Sequence, residues 1–177
     1  MMRRRTNVVV LLLLLGFGSV HCNDDDDGCR PGEPCHCHGG EGCFINCTDI
    51  DHCIPICSDM GICSAACADA CVFDCSSITD CNVSCDADCD VLCQDNTSCD
   101  ADCGERCTYT CQRAGTCRPV VGPDSLVQCN NVGSCNVTCN GPCRVTCNSV
   151  GSCPVHCNSG SSPVECDNGT VVCDQAC

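Results

Sequence analysis

The sequence contains no lysine and no tryptophan, and beyond residue 22 its only large aromatic side chains are Phe44, Phe73 and Tyr109. A chain of this length without the usual aromatic payload has no ordinary hydrophobic core available. The missing lysine leaves five arginines against 23 acidic residues after residue 22, a net charge of −18. That balance argues against nucleic acid and anionic membrane surfaces as partners. The acid is uneven, with 19 of the 23 carboxylates between Asp24 and Glu105. Apolar runs are short: the longest, Val8 to Leu15, has eight residues, too few to cross a bilayer as a helix. Phosphate loops and serine-nucleophile elbows are missing too, and no enzyme is expected.

What is present is cysteine, 31 residues in 177. From Cys29 through Cys157, 27 consecutive cysteines all fall on odd-numbered positions. A period of two is the signature of an extended chain whose alternate side chains share a face, and the cysteine face is expected to be the inside.

The N-terminus reads as an export signal over residues 1–22, with Arg3, Arg4 and Arg5 ahead of the apolar run. Two processing routes fit. Cleavage after Cys22 puts Val20 and Cys22 at minus three and minus one. Alternatively Ser19-Val20-His21-Cys22 resembles a lipobox, with Cys22 acylated, although His21 and Ser19 depart from that pattern. A lipid at Cys22 would be the only membrane attachment. Residues 23–28 (NDDDDG) form an acidic linker. Both routes leave 30 cysteines, enough for 15 disulfides, and an exported chain meets the oxidising conditions that form them.

From Cys63 the spacing is C-x3-C-x3-C-x3-C-x5, an 18-residue repeat over 63–157. Column one is Cys63, Cys81, Cys99, Cys117, Cys135 and Cys153. Column two is Cys67, Cys85, Cys103, Val121, Cys139 and Cys157. Column three is Cys71, Cys89, Cys107, Ser125 and Cys143, and column four is Cys75, Cys93, Cys111, Cys129 and Cys147. One repeat lacks its second and third cysteines together, which hints that those columns pair with each other. Other odd positions are small or apolar (Val83, Ala101, Val137, Val145), and even ones are polar (Asn82, Asp86, Asn136, Thr138). Gly115, Gly133 and Gly151 recur one repeat apart and suggest corners needing an unusual backbone conformation.

This is strand alternation with one buried face, so the expected fold is all-β: a disulfide-stapled β-solenoid with one 18-residue coil per repeat. About six coils at ~4.8 Å each would make a rod of roughly 30 Å. An array of short disulfide-linked helical hairpins is the alternative, because Cys63 to Cys71 alone could line a helix face. Six-residue steps would rotate that stripe away, and the later repeats are rich in Asn, Gly, Val and Thr. Residues 29–62 are expected to form an irregular N-terminal cap and first coil, and 158–177 a C-terminal cap where Cys166 changes parity.

Metal chemistry has one local candidate. Zinc thiolate sites use closely spaced cysteines, and here the closest run is Cys35-His36-Cys37-His38, a candidate for copper or zinc. Cysteines four apart on an extended strand should lie about 13 Å apart, too far to share an ion. Outward Asp86, Asp88, Asp90, Asp100 and Asp102 could offer calcium their oxygens, but the glycine-rich nonapeptide of calcium-binding β-rolls is absent. No cofactor is expected. Units such as Cys135-Asn136-Val137-Thr138-Cys139, recurring in tandem over roughly 63–157, resemble uncharacterised bacterial cysteine-rich exported repeat proteins and predicted lipoproteins. The resemblance implies a secreted or envelope location and supplies no activity. The reading is a non-enzymatic, acidic, structural or interaction protein with an unidentified protein or surface partner. Its rival is a metal-binding envelope protein.

Overall fold

The computed structural model describes residues 29–177; the expected leader, Cys22 and the acidic linker lie outside the described residues. Seventeen strands and no helix make up this part, and the chain winds as a β-solenoid of about seven coils. In chain order the strands are β1 (Pro34–His38), β2 (Gly42–Cys47), β3 (Ile54–Ser58), β4 (Ile62–Cys67), β5 (Val72–Ser76), β6 (Asp80–Ala87), β7 (Asp90–Gln94) and β8 (Ser98–Glu105). They continue as β9 (Thr108–Gln112), β10 (Thr116–Val121), β11 (Ser125–Asn130), β12 (Ser134–Cys135), β13 (Val137–Cys139), β14 (Cys143–Asn148), β15 (Val155–Cys157), β16 (Val164–Glu165) and β17 (Thr170–Cys173).

From β1 to β11 successive strands alternate between two sheets, so each sheet pairs every second strand in parallel, and β12 and β13 together continue one sheet on β10. One runs β1-β3-β5-β7-β9-β11-β14 and ends in the antiparallel strands β17 and β16; the other runs β2-β4-β6-β8-β10-β13-β15. Register equals the repeat: Cys81 pairs with Cys99, Cys93 with Cys111, and Cys117 with Cys135. The first coil is two residues longer, with Pro34 opposite Ile54 and Gly42 opposite Ile62, yet its strands are regular. The C-terminal segment supplies the cap: β17 lies antiparallel on β14, tied by Cys157–Cys173 and Cys166–Cys177.

The interior is as narrow as the cysteine content demands. Ala65, Val83, Ala101 and Val137 of one sheet point inward, as do Phe73, Val91, Tyr109, Val127 and Val145 of the other, and all are buried. Each buried ring has an alanine in its own coil, Ala65 with Phe73 and Ala101 with Tyr109, which leaves room for it. The Tyr109 hydroxyl, fully buried, donates to the Cys99 carbonyl at 3.1 Å.

The corners differ from the sequence expectation. Gly115, Gly133 and Gly151 are not the residues with unusual backbone. Apart from Asp174 in the C-terminal segment, positive φ among non-glycine residues falls on two columns: His52, Ala70, Asp88, Arg106 and Asp124 at one corner, and Asp59, Ser77, Asp95, Arg113, Asn131 and Ser149 at the other. The glycines serve close approach instead: a Cβ on Gly133 would lie 2.6 Å from the Gly115 carbonyl oxygen, and one on Gly151 the same distance from that of Gly133. A Cβ on Gly61 in the first coils would meet the Glu41 carbonyl oxygen at the same 2.6 Å, while Thr79 and Thr97 hold the equivalent place in the coils between.

Parity also breaks at the wider corner. Met60, Ile78, Asn96, Ala114 and Val132 are even-numbered and buried, because a left-handed residue just before each turns the chain and brings an even position inward.

Candidate functional site

Two corners define where sulfur can meet sulfur. At the wider one, Cys37–Cys43, Cys57–Cys63, Cys75–Cys81, Cys93–Cys99, Cys111–Cys117, Cys129–Cys135 and Cys147–Cys153 form one continuous stack, each bridge spanning six residues of its own coil. Column four therefore joins column one of the next repeat. At the narrower corner, columns two and three pair as Cys67–Cys71 and Cys139–Cys143. These are the partners suggested by the joint loss at Val121 and Ser125.

The narrower corner also overturns the 13 Å expectation. Cysteines four apart lie on either side of a turn, with Cα atoms 6.5 Å apart at Cys67–Cys71 and 6.0 Å apart at Cys139–Cys143. Ala70, at φ 57°, makes the first of these turns, and Asp88 and Arg106 make it in the next two coils. In those two coils the cysteines are thiols. Cys85, Cys89, Cys103 and Cys107 are all buried.

The Cys85 and Cys107 sulfurs lie 3.9 Å apart, and those of Cys85, Cys103 and Cys107 all fall within 4.8 Å of one another. The Cys89 thiol interacts with Cys107 and Cys85 and donates to the Ala87 carbonyl at 3.3 Å. Crowded thiols cannot all ionise. Hydrogen bonding from Cys103, then from Cys85 and Cys89, pulls the Cys107 thiol down, and the contact with Cys107 pushes Cys89 up to about 12. Ser125, in the neighbouring coil, accepts the Cys107 backbone N–H on its Oγ at 3.0 Å.

The expected metal run Cys35-His36-Cys37-His38 is arranged otherwise. Cys35 is bonded to Cys29 and Cys37 to Cys43, so neither sulfur is a thiolate, and His36 and His38 stand exposed on the outer face of β1. His38 Nδ1 lies 3.1 Å from Ser58 Oγ.

On the acidic outer face, charge is paired along the rod axis. Arg106 makes a two-pronged contact with Asp88 (2.7 and 2.8 Å), Arg113 with Asp95 (2.7 and 3.0 Å) and Arg118 with Asp100 (2.8 and 2.6 Å), each exactly one repeat apart in sequence. Amide pairs extend the pattern: Gln112 donates to Gln94, Asn148 to Asn130 and Asn158 to Asn140. Two of the five proposed calcium-ligand carboxylates, Asp88 and Asp100, thus already hold arginine. A shallow, largely apolar groove on β2, β4 and β6 is lined by Phe44, Ala66 and Val83. The thiol cluster was hidden in the sequence because its columns are spelled like every other; only the spatial register separates it.

Comparison with protein-family models, with curated proteins and with solved structures gave no match.

Proposed function

We propose that the protein is a non-enzymatic structural or interaction rod working outside the cell, in the oxidising setting its bridges require. The observation that carries the reading is the unbroken seven-bridge stack at the wider corner, which supplies the rigidity that a nearly ring-free core does not. Each coil is pinned across its wider corner by a disulfide, and side chains on the outer columns hold their neighbours one coil away. Such a rod offers a partner straight rows of carboxylate, amide and hydroxyl groups. The resemblance to bacterial exported repeat proteins agrees with an envelope or secreted location, with anchoring through Cys22 as the lipidated form.

Digestion with a broad-specificity protease tests the structural part. The oxidised chain is expected to stay intact under conditions that degrade the reduced and alkylated chain. Equal digestion of both would sink the reading. Calcium titration of the oxidised protein tests the rival metal-binding account of the acidic face, and sub-micromolar affinity there would favour the rival.

A further inference from the structure

Along the narrower corner the coils read in order: a bridge at Cys67–Cys71, thiols at Cys85 and Cys89, thiols at Cys103 and Cys107, then Val121 with Ser125, then a bridge at Cys139–Cys143. Among the described residues, four thiols occupy two adjacent coils and no others. The Cys85 and Cys107 sulfurs, 3.9 Å apart, approach from one coil to the next, whereas the bridges Cys47–Cys53, Cys67–Cys71 and Cys139–Cys143 of this corner each lie within a coil.

That geometry has a specific meaning. Sulfurs bound to one tetrahedral zinc ion at ~2.3 Å stand about 3.8 Å from each other. Cys85, Cys103 and Cys107 already converge within 4.8 Å; Cys89 stands across the Asp88 turn from Cys85, and its sulfur must close in on the other three to complete the set. Each coil contributes a C-x3-C pair folded by a left-handed residue, Asp88 or Arg106, and this spacing falls in the range of thiolate zinc ligands. The cluster is closed on both sides, by the Cys67–Cys71 bridge and by Val121, whose side chain is fully buried. Ser125 fixes the backbone of Cys107 from the adjoining coil, as an outer support of a ligand should.

We propose that Cys85, Cys89, Cys103 and Cys107 form a structural zinc site, one ion held by four sulfurs from two coils. Binding replaces the four thiol protons with the metal and involves no redox change. The disulfides of the two corners tie each coil to itself; this ion ties one coil to the next, in the most acidic part of the rod. All four cysteines are buried and would fill a closed tetrahedral site, so the metal's role is to staple.

The test uses the full chain produced by an oxidising secretory host and purified without reductant. Elemental analysis is expected to give one zinc per chain. Alkylation in denaturant should label four thiols, at these positions, once a zinc chelator is added. Cobalt(II) in place of zinc should give the sulfur-to-metal charge-transfer band of a thiolate site. The double substitution Cys103→Val with Cys107→Ser copies the Val121 and Ser125 pair of the next coil, so the corner is expected to accept it. That variant should keep the far-ultraviolet circular dichroism of the parent and lose at least a hundredfold in zinc affinity. Mapped bridges Cys85–Cys89 and Cys103–Cys107 would overturn the proposal, making the site two more corner bridges. So would four labelled thiols with neither zinc nor cobalt uptake, or undiminished zinc binding in the double variant.

Discussion

Asn96 sits one repeat beyond Ile78 and accepts the Ile78 backbone N–H on its Oδ1 at 3.1 Å, while its Nδ2 donates to the Cys75 carbonyl at 3.1 Å. It is the only polar member of the inward corner column that otherwise holds Met60, Ile78, Ala114 and Val132. Buried polar groups are tolerated when both ends are satisfied, and here they are. Asn96→Ala is expected to leave a backbone N–H and a carbonyl without their partner, costing about 1–3 kcal/mol in chemical unfolding. Asn96 also begins an N-x-[ST] sequon, as do Asn46, Asn82, Asn136 and Asn168. Asn96 is buried while the other four are exposed. Glycopeptide mapping after eukaryotic expression should therefore find Asn96 bare in folded chains; an occupied Asn96 in native protein would contradict its placement.

The arginine–aspartate pairs predict how stability responds to acid. The Arg106 and Arg113 guanidinium groups hold the Asp88 and Asp95 carboxyls below the usual carboxylate range, chiefly by hydrogen bonding. A carboxyl whose folded pKa is depressed contributes stability above its unfolded value, about 3.9, and loses it as pH falls through the lower folded value. Thermal unfolding of the parent and of Arg113→Gln should thus differ modestly at neutral pH. The difference should shrink with added salt and close in strong acid. A gap that widens on acidification would refute the pairing.

Bridge removal should not cost the same everywhere. Cys93–Cys99 closes a short loop, sequence separation 6, and Cys157–Cys173 a longer one, separation 16. Chain entropy assigns about 2 kcal/mol to the first and about 3 kcal/mol to the second. The paired replacement of Cys157 and Cys173 by serine should also release β17 from the end of the sheet, exposing β14 as an open edge. Denaturant titration is expected to rank the cap pair as the more damaging, and size-exclusion chromatography to show association only for that variant. The reverse order would mean that the cap adds little.

Much of the architecture was legible because the cysteine column and the strand period reinforce each other. The 18-residue register, the alternation of Val83 and Val137 against Asn82 and Asn136, and the pairing of columns two and three all follow from that one spacing. What escaped were features set between coils. A C-x3-C pair reads as 13 Å of strand until a left-handed residue folds it, and Ala70 and Arg106 do not advertise that conformation as glycine would. The same gap placed the turns at Gly115, Gly133 and Gly151, and made the close run Cys35-His36-Cys37-His38 look like a metal site although both its cysteines are bridged. The thiol cluster depends on which equivalent cysteines stay unpaired, a property no single repeat encodes.

The two kinds of corner residue make opposite predictions for one methyl group. Ala70 holds φ at 57°, a conformation that costs a residue with a Cβ about 1–2 kcal/mol and glycine almost nothing. Glycine's greater freedom in the unfolded chain offsets part of that gain, so Ala70→Gly should stabilise the protein by about 0.5–1 kcal/mol. Gly133 has an ordinary φ, but a Cβ there would meet the Gly115 backbone oxygen at 2.6 Å. Because that oxygen belongs to a coil already hydrogen-bonded above and below, it cannot retreat without loosening the stack, and Gly133→Ala should destabilise by about 1–3 kcal/mol. Measuring both variants by denaturant unfolding separates backbone conformation from close approach. If Gly133→Ala were neutral, the close approach to the Gly115 oxygen would be wrong; if Ala70→Gly were destabilising, the left-handed corner at column three would be wrong.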